Sequence, residues 1–315
     1  GSHCRSWILN PGPRAPAPQT MARALELIIS GLSLGGIYAL LAFALSLTIS
    51  TTRILNVAHG VFFVWGGAIF VVLSQHLKLN PVLSLLILTA VFFGFALAFQ
   101  RAIVSPLLGR SVQLLLIGSI MATFGLALSM ESALGYTWVT YVDPYPVFTS
   151  SLAMFPLTLG GVSLSGSRLV ILAFVLVMVI GSHLFLQKTF MGKGARAMAQ
   201  NFDGFVVIGL DPYRLSRILF TLAIMATAVS GAFYVLAVPL NPYEGLPLTL
   251  KAFTVVILAG VGNLPATLIA GGVLGLAEVI TSQFLGTVWA PAVSLAILFL
   301  VLVFRPTGLF GKGVY

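Results

Sequence analysis

The stretch "ILNVAHGVFFVWGGAIF", residues 54–70, sets an amide, Asn56, and an imidazole, His59, inside a run that is otherwise apolar and small. The rest of the chain decides how it is read. Hydrophobic residues make up 59% of the 315, charged residues only 7%, and mean hydropathy is +1.08. Soluble domains carry about 25% charged residues, so a chain this poor in charge cannot clothe a water-facing surface. Apolar stretches of about 20 residues, repeated along the chain, are the length that crosses a hydrocarbon core of about 30 Å. The fold class is therefore all-α, a polytopic transmembrane helix bundle with short or broken helices.

Apolar runs fall at 25–50, 56–76, 81–104, 112–133, 168–188, 214–238, 248–262, 266–285 and 290–304. The seventh is short, which sets the count at eight or nine spans. Residues 1–20 are rich in Pro and begin Gly1-Ser2-His3 like an affinity-tag scar, with Met21 a natural start beyond them. They are set apart as an extension, leaving one membrane domain over 21–315. The first apolar run is too long for a cleavable signal peptide and continues directly into a second.

The net charge of +9 follows from topology rather than from affinity for nucleic acid, because Lys and Arg accumulate in cytoplasmic loops. The longest connection, between the fourth and fifth runs, is aromatic and holds no Lys or Arg before Arg168, so it reads as extracytoplasmic. Alternation then puts Arg53, Arg101, Arg110, Lys188, Lys193, Arg196, Arg214, Arg217, Arg305 and Lys312 inside. Arg23, Lys78, Arg168 and Lys251 fall outside, a ratio of ten to four that favours the assignment. With nine spans the N-terminus is outside and the C-terminus inside. Parity changes if 248–262 is a re-entrant hairpin.

Within the inside segment 187–217, the stretch "ARAMAQNFDGFVVIG" carries Ala195, Met198, Ala199, Phe202 and Phe205 at helical spacing. Gly209 offers a stop and Asp211-Pro212 a restart. An amphipathic helix between two spans needs cover for its apolar face. Lipid headgroups would supply it, and so would a groove in a cytoplasmic partner.

No catalytic constellation, metal-ligand spacing or GxxxxGK[ST] motif occurs. The single cysteine, Cys4, cannot form an internal disulfide. Glu278 falls near mid-span and Glu131 at the end of the fourth run; intramembrane carboxylates are costly and point to function or to interhelical hydrogen bonding. The 32 Gly, in runs such as "GLSLGGIYAL" and "AGGVLGLAE", suit close helix packing of the transporter kind.

"GLSLGGIYALLAFALSLTISTTRILNVAHGVFFVWGGAI" (31–69) resembles the opening of the LivH-type permease of bacterial branched-chain amino acid ABC importers. The likeness continues through "GKGARAMAQNFDGFVVIGLDPYRL" (192–215), "NPYEGLPLTLKAFTVVILAGVGNLPATLIAGGVLGLAEVI" (241–280) and "FRPTGLFGK" (304–312). It implies a permease that is not itself an enzyme, in a bacterial or archaeal plasma membrane. The implied partners are a second permease of the LivM type, two cytoplasmic ATPase subunits carrying ATP and Mg, and an extracytoplasmic binding protein. The loop at about 189–213 then aligns with the coupling helix of such importers, with Arg196, Ala197, Met198, Ala199, Phe202 and Gly209 as its contacts. Phe205 stands where the family has a small residue. The same family also moves urea, amides and aromatic acids. An ATP-independent carrier or channel is the reading from another class.

Tyr38, Asn56, His59, Gly60, Asn263 and Glu278, with Asn241, are the groups that a translocation pathway or a broken helix end would use. Asn56 and His59, three apart, share a face if helical, and Gly60 lets a neighbouring backbone approach it. They form either a satisfied polar pair near Tyr38 or part of the pathway wall. No second ligand accompanies His59, so no metal is expected there.

Overall fold

A computed structural model of the chain describes residues 17–107, 111–143, 156–159, 162–201, 204–205, 211–305 and 307–310. Ten helices of ten or more residues carry the fold among these: α1 (Ala17–Thr52), α2 (His59–Val71), α3 (Pro81–Phe99), α4 (Val112–Tyr141), α5 (Gly166–Lys188), α6 (Phe190–Gln200), α7 (Pro212–Tyr234), α8 (Gly245–Ala259), α9 (Leu264–Phe284) and α10 (Ala290–Phe304). A π-helical turn extends α2 to His76, and another carries α3 towards Leu107. Eight of these elements are long and apolar enough to cross a membrane; α6 and α8 are not. A small antiparallel hairpin, β1 (Pro156–Leu159) with β2 (Val162–Ser165), adds a non-helical element in the connection before α5.

Helix starts follow local chemistry. Asn80 and Asp211 each precede a proline and accept backbone N–H bonds at 2.9 Å (Val82) and 3.0 Å (Tyr213), and Thr189 accepts from Gly192 at 3.0 Å. A side-chain acceptor satisfies an amide that has no partner in the first turn, and proline at that position loses nothing.

α1 is the hub. It runs antiparallel to α9 along a seam of small residues, where Gly31 and Gly35 lie against Gly271, Gly272, Gly275 and Leu276. α2 runs parallel to α7 along another seam of small residues: Gly66 meets Ala228, and Gly231 meets the Phe63 carbonyl. Without a hydrophobic drive between helices in lipid, backbone approach at small residues is what holds such seams.

The ends of these helices define two faces. Arg53, Arg101, Lys188, Arg214 and Arg305 near helix ends, with Lys193 and Arg196 on α6, lie on one of them, called here the basic face. Arg168 lies on the other, paired at 2.7 Å with Glu26 at the start of α1.

Two crossings are broken in mid-membrane. Arg53, at a left-handed φ of 57°, turns the chain back after α1. The Thr51 carbonyl accepts from Ser216 in the first turns of α7, yet His59 already bonds Leu41 and Thr227. From Thr51 to Leu41 is ten residues of helix, about 15 Å, a climb that Ile54–Ala58 can make only as extended chain. α2 therefore starts near mid-depth. α8 starts there as well: Gly245 sits against Val61, and the Gly60 amide bonds Thr249 at 2.8 Å. From that level α8 runs the other way, to where Gly260 meets Gly308 and Leu309 donates to Leu258 at 2.8 Å.

These breaks correct the expected spans. The second helix starts at His59 rather than 56, α7 stops at Tyr234 rather than 238, and α4 continues to Tyr141 rather than 133. The short seventh run does not turn back. Residues 235–259 carry the chain from the opposite face to the basic one as a run of turns and short extended backbone followed by a half-helix, so the chain crosses nine times among the described residues. Lys251, expected in an outside loop, lies inside the bundle on α8.

Candidate functional site

The two breaks meet, and each is built on the same five-residue pattern: Asn56-Val57-Ala58-His59-Gly60 and Asn241-Pro242-Tyr243-Glu244-Gly245. In each, the asparagine Oδ1 accepts the backbone N–H two residues on, from Ala58 at 3.1 Å and from Tyr243 at 3.0 Å. Asn56 thus precedes the helix instead of sharing a helical face with His59. The turn ends in a glycine because the glycines face each other: a Cβ on Gly60 would strike the Gly245 carbonyl and the Thr249 amide, and one on Gly245 would strike Val61 and Glu131. Helices α2 and α8 start from this contact and diverge.

Side chains from other spans satisfy the backbone exposed by the breaks. Thr123 Oγ1 accepts from Val57 N at 3.1 Å, and Thr249 Oγ1 donates to the Val57 carbonyl at 2.9 Å. Glu131 Oε1 accepts from Leu246 N at 3.0 Å, capping α8 from α4. An unpaired polar backbone group in hydrocarbon costs several kcal/mol, so these hydroxyls and the carboxylate hold the breaks open.

His59 is fully buried. Its Nε2 lies 3.2 Å from the Leu41 carbonyl and 2.9 Å from Thr227 Oγ1, whose own proton goes to the Ala223 carbonyl. Both partners are thus acceptors, and Nε2 carries the hydrogen. Nδ1 and the Asn56 Nδ2 are buried with no partner among the described residues.

A second polar group lies one turn away on α1. The Lys251 ammonium reaches Glu278 at 2.9 Å (Oε1) and 3.0 Å (Oε2), and the Tyr38 hydroxyl at 2.9 Å. Tyr38 donates to Glu278 at 2.8 Å, and Ser294 Oγ donates to the other carboxylate oxygen. The cluster joins α1, α8, α9 and α10. Its charges neutralise each other, as a buried pair must in a medium of low dielectric.

The six pathway candidates divide accordingly. Tyr38 and Glu278 belong to the ion-pair cluster; Asn56, His59 and Gly60 belong to the junction of the breaks. Asn263 belongs to neither: its Nδ2 donates to the Phe310 carbonyl at 2.9 Å on the basic face. Lys251, Thr249, Thr227, Thr123 and Glu244 were not singled out from the sequence. The duplicated Asn-x-x-[His/Glu]-Gly pattern, and a lysine within an apolar run, were the signals for two of them. Among the described residues no group of three or more His, Cys, Asp and Glu is placed to hold a metal.

On the basic face, α6 is covered by this chain rather than by lipid or a partner. Ala195 and Met198 are buried with Phe205 among Phe43, Leu47, Leu186, Leu215 and Leu219. Met198 is therefore buried within this chain, where the spans α1, α5 and α7 cover the apolar face of α6. Lys193, Ala197 and Gln200 face outward, and Arg196 and Ala199 are half-buried. Phe202 and Gly209 lie outside the described residues. Beneath α6 a cavity of ≈ 410 Å³ is lined by Ile49, Arg53, Leu55, Met198, Gln200 and Gly262.

Residues 27–305 match a family model described as the branched-chain amino acid transport system permease component. The chain is similar to the high-affinity branched-chain amino acid transport system permease protein LivH of Salmonella typhimurium, 26% identical over 91% of this chain and 96% of that one. It is likewise similar to BraD of Pseudomonas aeruginosa, at the same identity and coverage. The probable LivH of Methanocaldococcus jannaschii is 27% identical over 86% of this chain and 88% of its own. Among solved structures, PsaBC from Streptococcus pneumoniae in complex with Fab superposes with a TM-score of 0.51 at 10% identity, covering 92% of this chain and 96% of that one. That likeness speaks to fold alone.

Proposed function

Since the chain belongs to the family of branched-chain amino acid transport permease components, we propose that it is the membrane-spanning subunit of an ABC importer for branched-chain or other hydrophobic amino acids. The family match over 27–305 carries the reading. The expected partners are a second permease, two ATPase subunits on the basic face and a binding protein on the opposite one, in a bacterial or archaeal plasma membrane. ATP and Mg would be held by the ATPases.

The fold gives this reading a route for coupling. Lys193, Ala197 and Gln200, the outward residues of α6, offer a narrow face to an ATPase. The opposite face of α6 is locked into α1, α5 and α7. Displacement of α6 therefore moves α1, whose Phe43 and Leu47 touch it and whose Tyr38 anchors the ion-pair cluster little more than a turn above. It also deforms the cavity between α6 and the foot of the first break.

The test is reconstitution with the partner subunits. Ala197→Glu should abolish ATPase co-purification and uptake while shifting the permease's own stability by no more than about 0.5 kcal/mol, as surface changes do. Met198→Glu should instead unfold the chain. Loss of folding from Ala197→Glu, or retention of the ATPase, would overturn the assignment of this face.

A further inference from the structure

We propose that the outward edge of the second break, Asn241 to Lys251, is a wall of the solute pathway, with Lys251 receiving the carboxylate and Glu244 the ammonium of a zwitterionic solute. The proposal rests on the amino acid reading above and deepens it to named residues.

The first ground is backbone. Residues 235–244 lack regular α-helix, yet they lead to the mid-membrane level of Gly60, with Ala237, Pro239 and Tyr243 exposed. Non-helical backbone at membrane depth is tolerated only where protein or water covers it. The exposed sides of α5 and α10 are different: unbroken helix presenting Leu176, Val177 and Ile180, or Leu295, Phe299 and Val303. Those sides suit lipid, and the edge of the break does not.

The second ground is charge. Along this edge Tyr243, Pro247 and Leu250 are exposed, and the two ionisable side chains beside them, both partly buried with Lys251 16% exposed, are Glu244 and Lys251, of opposite sign. Glu244 accepts from the Asn241 backbone and lies within the field of Lys251. Seven residues separate them, about 10 Å along a helix. An amino acid zwitterion with one charge-assisted hydrogen bond at each end spans roughly 9 Å.

The third ground is that Lys251 can be released. If its ammonium turns from Glu278 to an incoming carboxylate, Glu278 keeps the hydroxyl donors of Tyr38 and Ser294. The buried carboxylate is then still hydrogen-bonded.

The full importer in proteoliposomes, with Cys4 replaced by Ser, tests this in two steps. Pro247→Cys and Leu250→Cys should react with a charged methanethiosulfonate at least tenfold faster than Val177→Cys and Phe299→Cys, and leucine during turnover should slow them. Equal reactivity would overturn the pathway wall. In the second step, Lys251→Glu should lose both thermal stability and leucine uptake. Adding Glu278→Lys should restore the Tm but leave uptake at least tenfold down; full recovery of uptake would make Lys251 a structural residue and overturn its role. Glu244→Gln, which keeps an acceptor for the Asn241 backbone, should lower leucine uptake at least tenfold, and unchanged uptake would overturn its part. Failure of the amino acid reading itself has a separate signature: unsubstituted importer that takes up no amino acid while positions 247 and 250 still react.

Discussion

The two broken crossings are alike in their turns and opposite in their surroundings. Residues 53–76 and 235–259 both reach mid-membrane as non-helical backbone, both fold an Asn-x-x-x-Gly turn, and both launch a helix from the same glycine contact. The chains around them run in opposite senses: α1 descends to the basic face before the first, and α7 climbs away from it before the second. They are inverted copies of one device, as discontinuous helices in transporters tend to be. The first is sealed, with Asn56 and His59 fully buried. The second carries Glu244 and Lys251, both partly buried, beside an exposed edge. One geometry therefore serves as a keystone in one place and as a polar face in the other.

The glycine contact is where both copies are most easily broken. Gly60→Val would drive a branched side chain into backbone atoms of α8 that cannot move without displacing Glu131 and Thr249. We expect a cost of at least about 3 kcal/mol, the upper end for overpacking, seen as loss of the monodisperse peak in detergent. Gly245→Val should do the same. If one variant folds and the other does not, the breaks are not mutually dependent.

The ion-pair cluster is the next most sensitive place, because it pins the second half-helix and has no counterpart at the first. Lys251→Met should cost about 3–5 kcal/mol by leaving the Glu278 charge without a countercharge, held only by the Tyr38 and Ser294 hydroxyls, and Glu278→Leu about as much by leaving the ammonium unpaired. The double variant should cost less than either, since no unpaired charge remains. Thermal unfolding of the four proteins gives the coupling energy directly. Additive losses would mean that the two side chains act on separate partners.

Much of this was legible in the sequence. Class, approximate spans, the gathering of most cations on one face and the intramembrane position of Glu278 came from composition and charge alone. What was not legible depends on where a helix stops in lipid. Asn56 looked like a helical neighbour of His59 because hydropathy continues smoothly across Leu55–Ala58; the left-handed φ of Arg53 leaves no mark in hydropathy, and the Thr123 and Thr249 hydroxyls that hold the break lie elsewhere in the chain. Lys251 was placed in a loop because a topology count assigns cations to loops, and its carboxylate partner lies 27 residues away. The packing of Met198 against this chain's own spans was not legible because amphipathicity shows that a face needs covering and not what covers it.

The smallest expected effect separates the two asparagines. Asn241→Ala removes one accepted hydrogen bond at a half-exposed turn, where water can replace it, and should cost about 1 kcal/mol, as a lost cap does. Asn56→Ala strands the Ala58 amide, worth about 1–3 kcal/mol when buried, but it also removes an Nδ2 that has no partner of its own among the described residues. The two terms oppose, so in the isolated chain the net cost should not exceed that of Asn241→Ala, as measured by chemical unfolding in detergent. The same substitution in the assembled importer gives the sharper reading. A cost there above about 2 kcal/mol would mean that the amide finds an acceptor only on assembly, and that the sealed break is completed by water or by the second permease rather than by this chain.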